Sequence, residues 1–231
     1  MNNTFDSRKN TSLTFTEWLR EQNQENWNAA INHRFIDELF AGSVANDVLL
    51  HYLVQDYQFI DRFVALLGAA IASADRFESR VRLTRFTAML VSDENTYFLR
   101  SFDQLGLAAR HRTSPTLTAP TMAFQDLMKE AAESRDYAQC LSVLVVAEWI
   151  YLSWADRPSA TLPPQFIHAE WITLHNNAGF AETIGWLRAE LDRTGAAQDA
   201  AGQARCADLF SRAVALERAF FDHVYTPLSY D

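Results

Sequence analysis

The sequence predicts an all-α fold of about eight helices, and three observations lead there. Apolar residues recur at three- and four-residue spacing almost throughout, no segment alternates with period two, and only 7 Gly and 6 Pro punctuate 231 residues. With 48% hydrophobic and 13% aromatic residues the chain fills a sizeable core.

Taken in order, the first dozen residues are polar and are expected to be a flexible N-terminus (1–12), followed by one helical domain over 13–231. Phe15, Trp18, Leu19, Trp27, Ile31 and Phe35 mark one helix or two, closed near Gly42, a residue suited to a left-handed C-terminal position. Ser43 is the expected N-cap of a long helix from Val44 to about Ser73, whose apolar stripe is too wide for a surface helix. A third helix runs from about Arg76 to Leu105. Gly106–Pro120, with two prolines, is the longest irregular connection. Further helices are expected at about Thr121–Ser134, Asp136–Ala155, Pro164–Leu174, Ala178–Arg193 and Gln198–Val224.

Charge and composition narrow the function. A formal charge of −9 leaves no basic stripe for phosphates, so nucleic acid is not an expected partner. The longest uncharged apolar stretch, Phe63–Ala72, is too short to span a bilayer, and the N-terminus lacks the apolar core of a signal peptide. A cytoplasmic protein without membrane contact is expected. Cys140 and Cys206 form no Cys-x-x-Cys pattern and read as core thiols.

The chemical clue is a carboxylate set on an aromatic helix face, repeated three times. Asp56 has Tyr52 four residues before and Phe59 three after; Glu148, inside the run VLVVAEWIYLSW, has Tyr151 three after; Glu217 has Phe220 and Phe221 three and four after. Offsets of three and four share a face. Converging helices would therefore close an aromatic-walled pocket holding two or three acids, suited to a flat nitrogen-rich ring. The same spacing also suits a plain core, with an acid reaching solvent or an arginine such as Arg62 or Arg85. His168 and His175 stand two helical turns apart, but no acid follows His168 by four and Glu94 has Ser101 seven residues on, so the di-iron carboxylate pattern is incomplete. No metal or cofactor is expected.

Residues 27–59, WNAAINHRFIDELFAGSVANDVLLHYLVQDYQF, carry a Trp, His-x-Phe, Leu-x-x-Gly and Tyr-Leu-x-Gln-Asp-Tyr in succession. This succession resembles the N-terminal signature of the TenA (thiaminase II) family, and the likeness continues through Pro120, Phe124, Glu148–Tyr151, Trp171 and Glu217–Phe221. The resemblance implies a heme-oxygenase-like helical bundle, a homo-oligomer (dimer or tetramer) and hydrolysis of aminopyrimidine-type thiamin breakdown products to hydroxymethylpyrimidine.

In the better-known branch a cysteine lies four residues before the equivalent of Tyr151, where this chain has Ala147. Cys140 stands roughly 10 Å further along the helix axis. Glu148 instead matches a glutamate branch that lacks the cysteine, as does Phe59. The resemblance assigns catalysis to Asp56, Glu148 and Glu217, and contact with a small-molecule substrate to Tyr52, Phe59, Phe124, Tyr151, His175 and Phe220. Phe124 and His175 replace tyrosines common in the family. Two alternatives follow from those departures: a non-catalytic binding or regulatory protein that keeps the pocket, and an oxidase of the same fold.

Overall fold

The structure, a computed structural model, describes Phe5, residues 13–157 and residues 161–226. Among them all regular structure is helical: α1 (Phe15–Gln22), α2 (Gln24–Ile31), α3 (Arg34–Ala41), α4 (Asn46–Ser73), α5 (Phe77–Met89), α6 (Asn95–Gln104), α7 (Ala109–Thr113), α8 (Ala119–Glu133), α9 (Tyr137–Ala155), α10 (Phe166–Asn176), α11 (Ala178–Gly195) and α12 (Ala200–His223). A π-helical turn, Leu90–Glu94, joins α5 to α6.

Twelve helical segments stand where about eight are expected, and local causes account for the excess. The first apolar stretch breaks twice, at Asn23 and at Asn32-His33, because polar side chains there bond to the backbone. Asn23 Nδ2 donates to the Leu19 carbonyl, and His33 Nδ1 accepts from the Phe35 amide and so caps α3. The long connection before Pro120 holds the short α7. Ser43 does not cap α4. Its amide and hydroxyl both donate to the Glu38 carbonyl and close the end of α3 around Gly42 (φ 64°), so α4 starts at Asn46, with Ala45 before it offering no side-chain cap. Of the expected flexible 1–12 segment only Phe5 is described, and it is buried against Phe15 and Trp18; the rest lies outside the described residues.

At the centre is α9. By length and composition it could cross a membrane, but it is buried by α4, α8, α11 and α12. Its N-terminus is capped by Asp136, which accepts from the Gln139 amide. Apolar on every side, it has no surface face to offer, so Glu148 in its middle must point into protein. Both cysteines are buried among these helices.

Gln55 makes the next decision. Its Nε2 donates to the Thr116 carbonyl at 3.0 Å, and its Oε1 accepts from the Thr118 amide at 3.0 Å and the Thr121 hydroxyl at 2.9 Å. The side chain thus staples the irregular connection to α4 and fixes where α8 begins. That placement brings Phe124 of α8 against Phe59 of α4, ring centres 5.0 Å apart.

Helix α11 supplies a packing test. At Gly195 an added Cβ would run into the Phe15 ring, whereas at Gly185 it would meet open space. Gly185→Ala is expected to stabilise the protein by about 0.5–1 kcal/mol. Gly195→Ala is expected to destabilise it by about 1–3 kcal/mol through overpacking. Urea denaturation of the two variants checks both, and equal effects would contradict the close approach of α1 to α11.

Candidate functional site

The three acids picked out by spacing converge. Asp56 from α4, Glu148 from α9 and Glu217 from α12 line one pocket, and all three are buried. A fourth acid, Glu94, joins them from the π turn. By sequence Glu94 is only an incomplete metal ligand, yet it carries the same signal as the other three, with Tyr97 three residues and Phe98 four residues after it. The extra residue of the π turn re-aims the chain at this point, a device recurrent at functional sites.

Aromatic rings from the same helices form the walls. Phe59 packs edge-on against Phe124 at 5.0 Å, Phe220 lies beyond, and Tyr151 packs at 4.9 Å against His175. Five of the six expected contact residues therefore line the pocket. Tyr52 does not. It is fully buried behind the lining, held between Phe35 at 4.5 Å and Phe221 at 6.2 Å, because its position one turn before Asp56 turns it into the core.

Tyr52 nevertheless organises the site. Its hydroxyl accepts from Trp171 Nε1 at 3.1 Å, shares a hydrogen bond with the Tyr151 hydroxyl at 2.8 Å and also bonds Asp56. One buried chain thus ties α10, α4 and α9 together beneath the pocket. His175 is held as well: its Nδ1 lies 2.8 Å from the Trp171 carbonyl, which can only accept, so Nδ1 carries the proton. Nε2 is left as an acceptor, and burial pushes the ring's pKa down to about 4, so the imidazole is neutral at pH 7.

The electrostatics are one-sided. Among the described residues no arginine or lysine lines the pocket. Arg62 and Arg85, the cations that could have neutralised a buried acid, line separate surface grooves instead. Every acid is consequently harder to ionise than in water. Burial raises Asp56 to about 7, against a hydrogen bond from Tyr52 that pulls the other way. Glu148 rises to about 8, through burial and then the charge of Asp56. Glu217 stands well above the usual carboxylate range, through burial, Asp56 and Glu148; so does Glu94, through burial, Glu148 and Asp56. Asp56 is therefore first to ionise, and at neutral pH most of the others keep their protons.

The arrangement offers an anionic acceptor, protonated donors and flat walls in one slot. A ligand for this slot must be small and flat. His168 is not part of it: it is buried outside the lining, with neither ring nitrogen bonded.

The sequence matches the model of the TENA/THI-4/PQQC family over residues 20–226. It is 21% identical over 217 residues to the aminopyrimidine aminohydrolase of Halalkalibacterium halodurans, covering 92% of this chain and 96% of that one. The enzyme of the same name from Bacillus subtilis is 22% identical over 178 residues, 74% of this chain and 73% of the relative. Among solved structures, a TenA family transcription regulator from Silicibacter sp. TM1040 superposes with a TM-score of 0.82 at 20% identity, covering 95% of this chain and all of that one. A TenA homologue from Pyrococcus furiosus gives 0.82 at 17%, covering 91% and 100%. These structures establish the fold.

Proposed function

The chain belongs to the TENA/THI-4/PQQC family, and we propose that it is a metal-free aminopyrimidine hydrolase of that family's glutamate branch, acting in thiamin salvage. One observation carries this: an aromatic pocket of four carboxylates with, among the described residues, no cation in its lining to neutralise them. A flat, amine-bearing ring supplies both what the walls stack and what the acids lack.

In the proposed reaction Asp56, the most readily ionised acid, holds the ring through a ring nitrogen and its amino group. Phe59, Phe124 and Phe220 pack on the ring, and Tyr151 lies along its edge. Glu148 takes a proton from water as the oxygen attacks the exocyclic methylene carbon. The C–N bond breaks as the C–O bond forms, and protonated Glu217 supplies the proton that the departing amine needs. Ammonia and hydroxymethylpyrimidine are the products. Glu148 must be ionised to act on the neutral amine, and it gives up its proton before Glu217, whose carboxyl is raised by burial and by the charges of Asp56 and Glu148. Ala147 beside it carries no thiol, so no covalent intermediate on that position enters the scheme.

The experiment is incubation of the purified protein with aminomethylpyrimidine and quantitation of hydroxymethylpyrimidine and ammonia. Stoichiometric release of both is expected, and absence of release by the wild type would overturn the proposal. The departures at Phe124 and His175, which remove two hydroxyls from the pocket, favour a second reading, a binding protein without turnover. Thermal stabilisation by hydroxymethylpyrimidine with no product formed would favour it. We further propose a cytoplasmic homo-oligomer. The two buried free thiols accord with a reducing compartment, and light scattering gives the assembly's mass.

A further inference from the structure

Tyr52 is the expected contact residue that lies behind the pocket wall, and its bonds there reach two other helices. Its hydroxyl accepts from Trp171 Nε1 of α10 at 3.1 Å and shares a hydrogen bond with the Tyr151 hydroxyl of α9 at 2.8 Å. An indole N–H only donates, so the sense of the first bond is fixed. Trp171 is itself held in place. It is fully buried, its ring stacks on Tyr97 at 4.9 Å, and Tyr97 donates its hydroxyl proton to the Ile167 carbonyl of the same helix α10 at 2.6 Å.

Trp171 and Tyr52 stand outside the pocket lining and Tyr151 is part of it. Burial holds the pKa of both phenols above its ordinary value, so each hydroxyl keeps its proton. The Tyr151 hydroxyl has no partner besides Tyr52 among the described residues, and the bonding capacity it does not spend there is left for a ligand.

Satisfaction of a buried indole does not by itself account for this chain. Trp27 and Trp154 bury Nε1 with no partner among the described residues, and the Trp154 ring packs 5.5 Å from Tyr151. The fold tolerates an unmet indole beside that tyrosine, yet joins the Trp171 donor to it through Tyr52.

We propose that Tyr52 is a positioning residue: backed by Trp171, it fixes the place and orientation of the Tyr151 hydroxyl, so that Tyr151 meets the ring edge of the substrate already set. Without the Tyr52 oxygen the Tyr151 hydroxyl is a rotor that the ligand must order on binding, a cost that falls on affinity. Trp171 acts in the same line, because its donated bond restricts the orientations open to Tyr52.

This deepens the hydrolase proposal and rests on its placing of Tyr151 along the ring. The test is a double-mutant cycle in kcat/KM for aminomethylpyrimidine, with wild type, Tyr52→Phe, Tyr151→Phe and the double variant. Each single change is expected to cost about five- to tenfold, carried by KM, and the double variant no more than about tenfold. Independent roles would multiply to roughly 25-fold or more, and that result overturns the inference. A Tyr52→Phe value within twofold of the wild type overturns it as well. A purely structural Tyr52 would lower the melting temperature and leave the cycle multiplicative. Trp171→Phe keeps an aromatic ring beside Tyr97 and removes the N–H. Its own cycle with Tyr151→Phe is expected to show the same non-additivity, and decides the matter where Tyr52→Phe yields no folded protein.

If the wild type turns over no aminomethylpyrimidine, the hydrolase proposal has failed on its own account, and the same cycles are read in calorimetric affinities for hydroxymethylpyrimidine. Non-additive losses there uphold the positioning role. Losses that multiply, or no binding at all, overturn it.

Discussion

Glu148→Gln is expected to lower kcat on aminomethylpyrimidine by roughly 10²–10⁴-fold, the usual worth of a positioned general base. The replacement keeps the shape of the side chain and its place in the middle of α9, and removes only the ability to take a proton. Because the acid is buried and mostly protonated near neutral pH, its neutral amide resembles the resting state, so folding is not expected to suffer. Retained melting temperature with lost turnover is therefore the expected pair of results, by steady-state assay and differential scanning calorimetry. A kcat within threefold of the wild type would move water activation to another group. The pH profile adds a check. With the four acids poised above the usual range, kcat/KM should rise between about pH 6 and 8 as Asp56 and Glu148 lose their protons.

The second large effect is on stability. Asp56 moves from 3.8 in the unfolded chain to about 7 in the fold. A group whose folded pKa is raised binds its proton more tightly in the native state. Its favourable contribution is complete below pH 4, is lost as pH rises through 7, and the loss is on the order of 4 kcal/mol by pH 8. Asp56→Asn cannot titrate. The difference in melting temperature between Asp56→Asn and wild type should thus change with pH, the variant gaining between pH 4 and pH 8. At ~2–4 °C per kcal/mol for chains of this size, the gain is about 10 °C. Turnover by the same variant should fall steeply, since ring binding is assigned to Asp56. A melting difference independent of pH would mean that Asp56 is ionised throughout, contrary to a pocket without a counter-charge. Evolution tolerates such a cost where a strained or frustrated group is needed for function.

Much of the site was legible because offsets of three and four are a property of the helix alone. Asp56, Glu148 and Glu217 could be placed beside Phe59, Tyr151 and Phe220 without knowing how any helix packs. Glu94 carried the same pattern, with Tyr97 and Phe98, but was weighed only as a metal ligand with no histidine to match. The π turn that aims it into the pocket has no signature in residue spacing. Tyr52 shows the converse. It lies on the same face as Asp56, yet one turn of helix is enough to carry it past the pocket and into the contact with Phe35 and Phe221. Ser43 was expected to cap α4 by residue type. The left-handed Gly42 turned it back onto the preceding helix instead, a competition between two neighbouring caps that type alone does not decide.

By itself, then, the amino-acid sequence determined the helical class, the bounds of most long helices to within a few residues, and the side of each helix on which three acids sit, since all of these follow from local periodicity and capping. Only the tertiary structure decided that the acids meet, that a fourth joins them, that neither Arg62 nor Arg85 comes to neutralise them, and that Trp171 and Tyr52 hold the floor. Those are distances between segments up to about 160 residues apart in the chain, as with Asp56 and Glu217, and they also set the ionisation of every group in the pocket. A carboxyl's proton affinity depends on what surrounds it in space, and helical spacing describes only its neighbours along one helix.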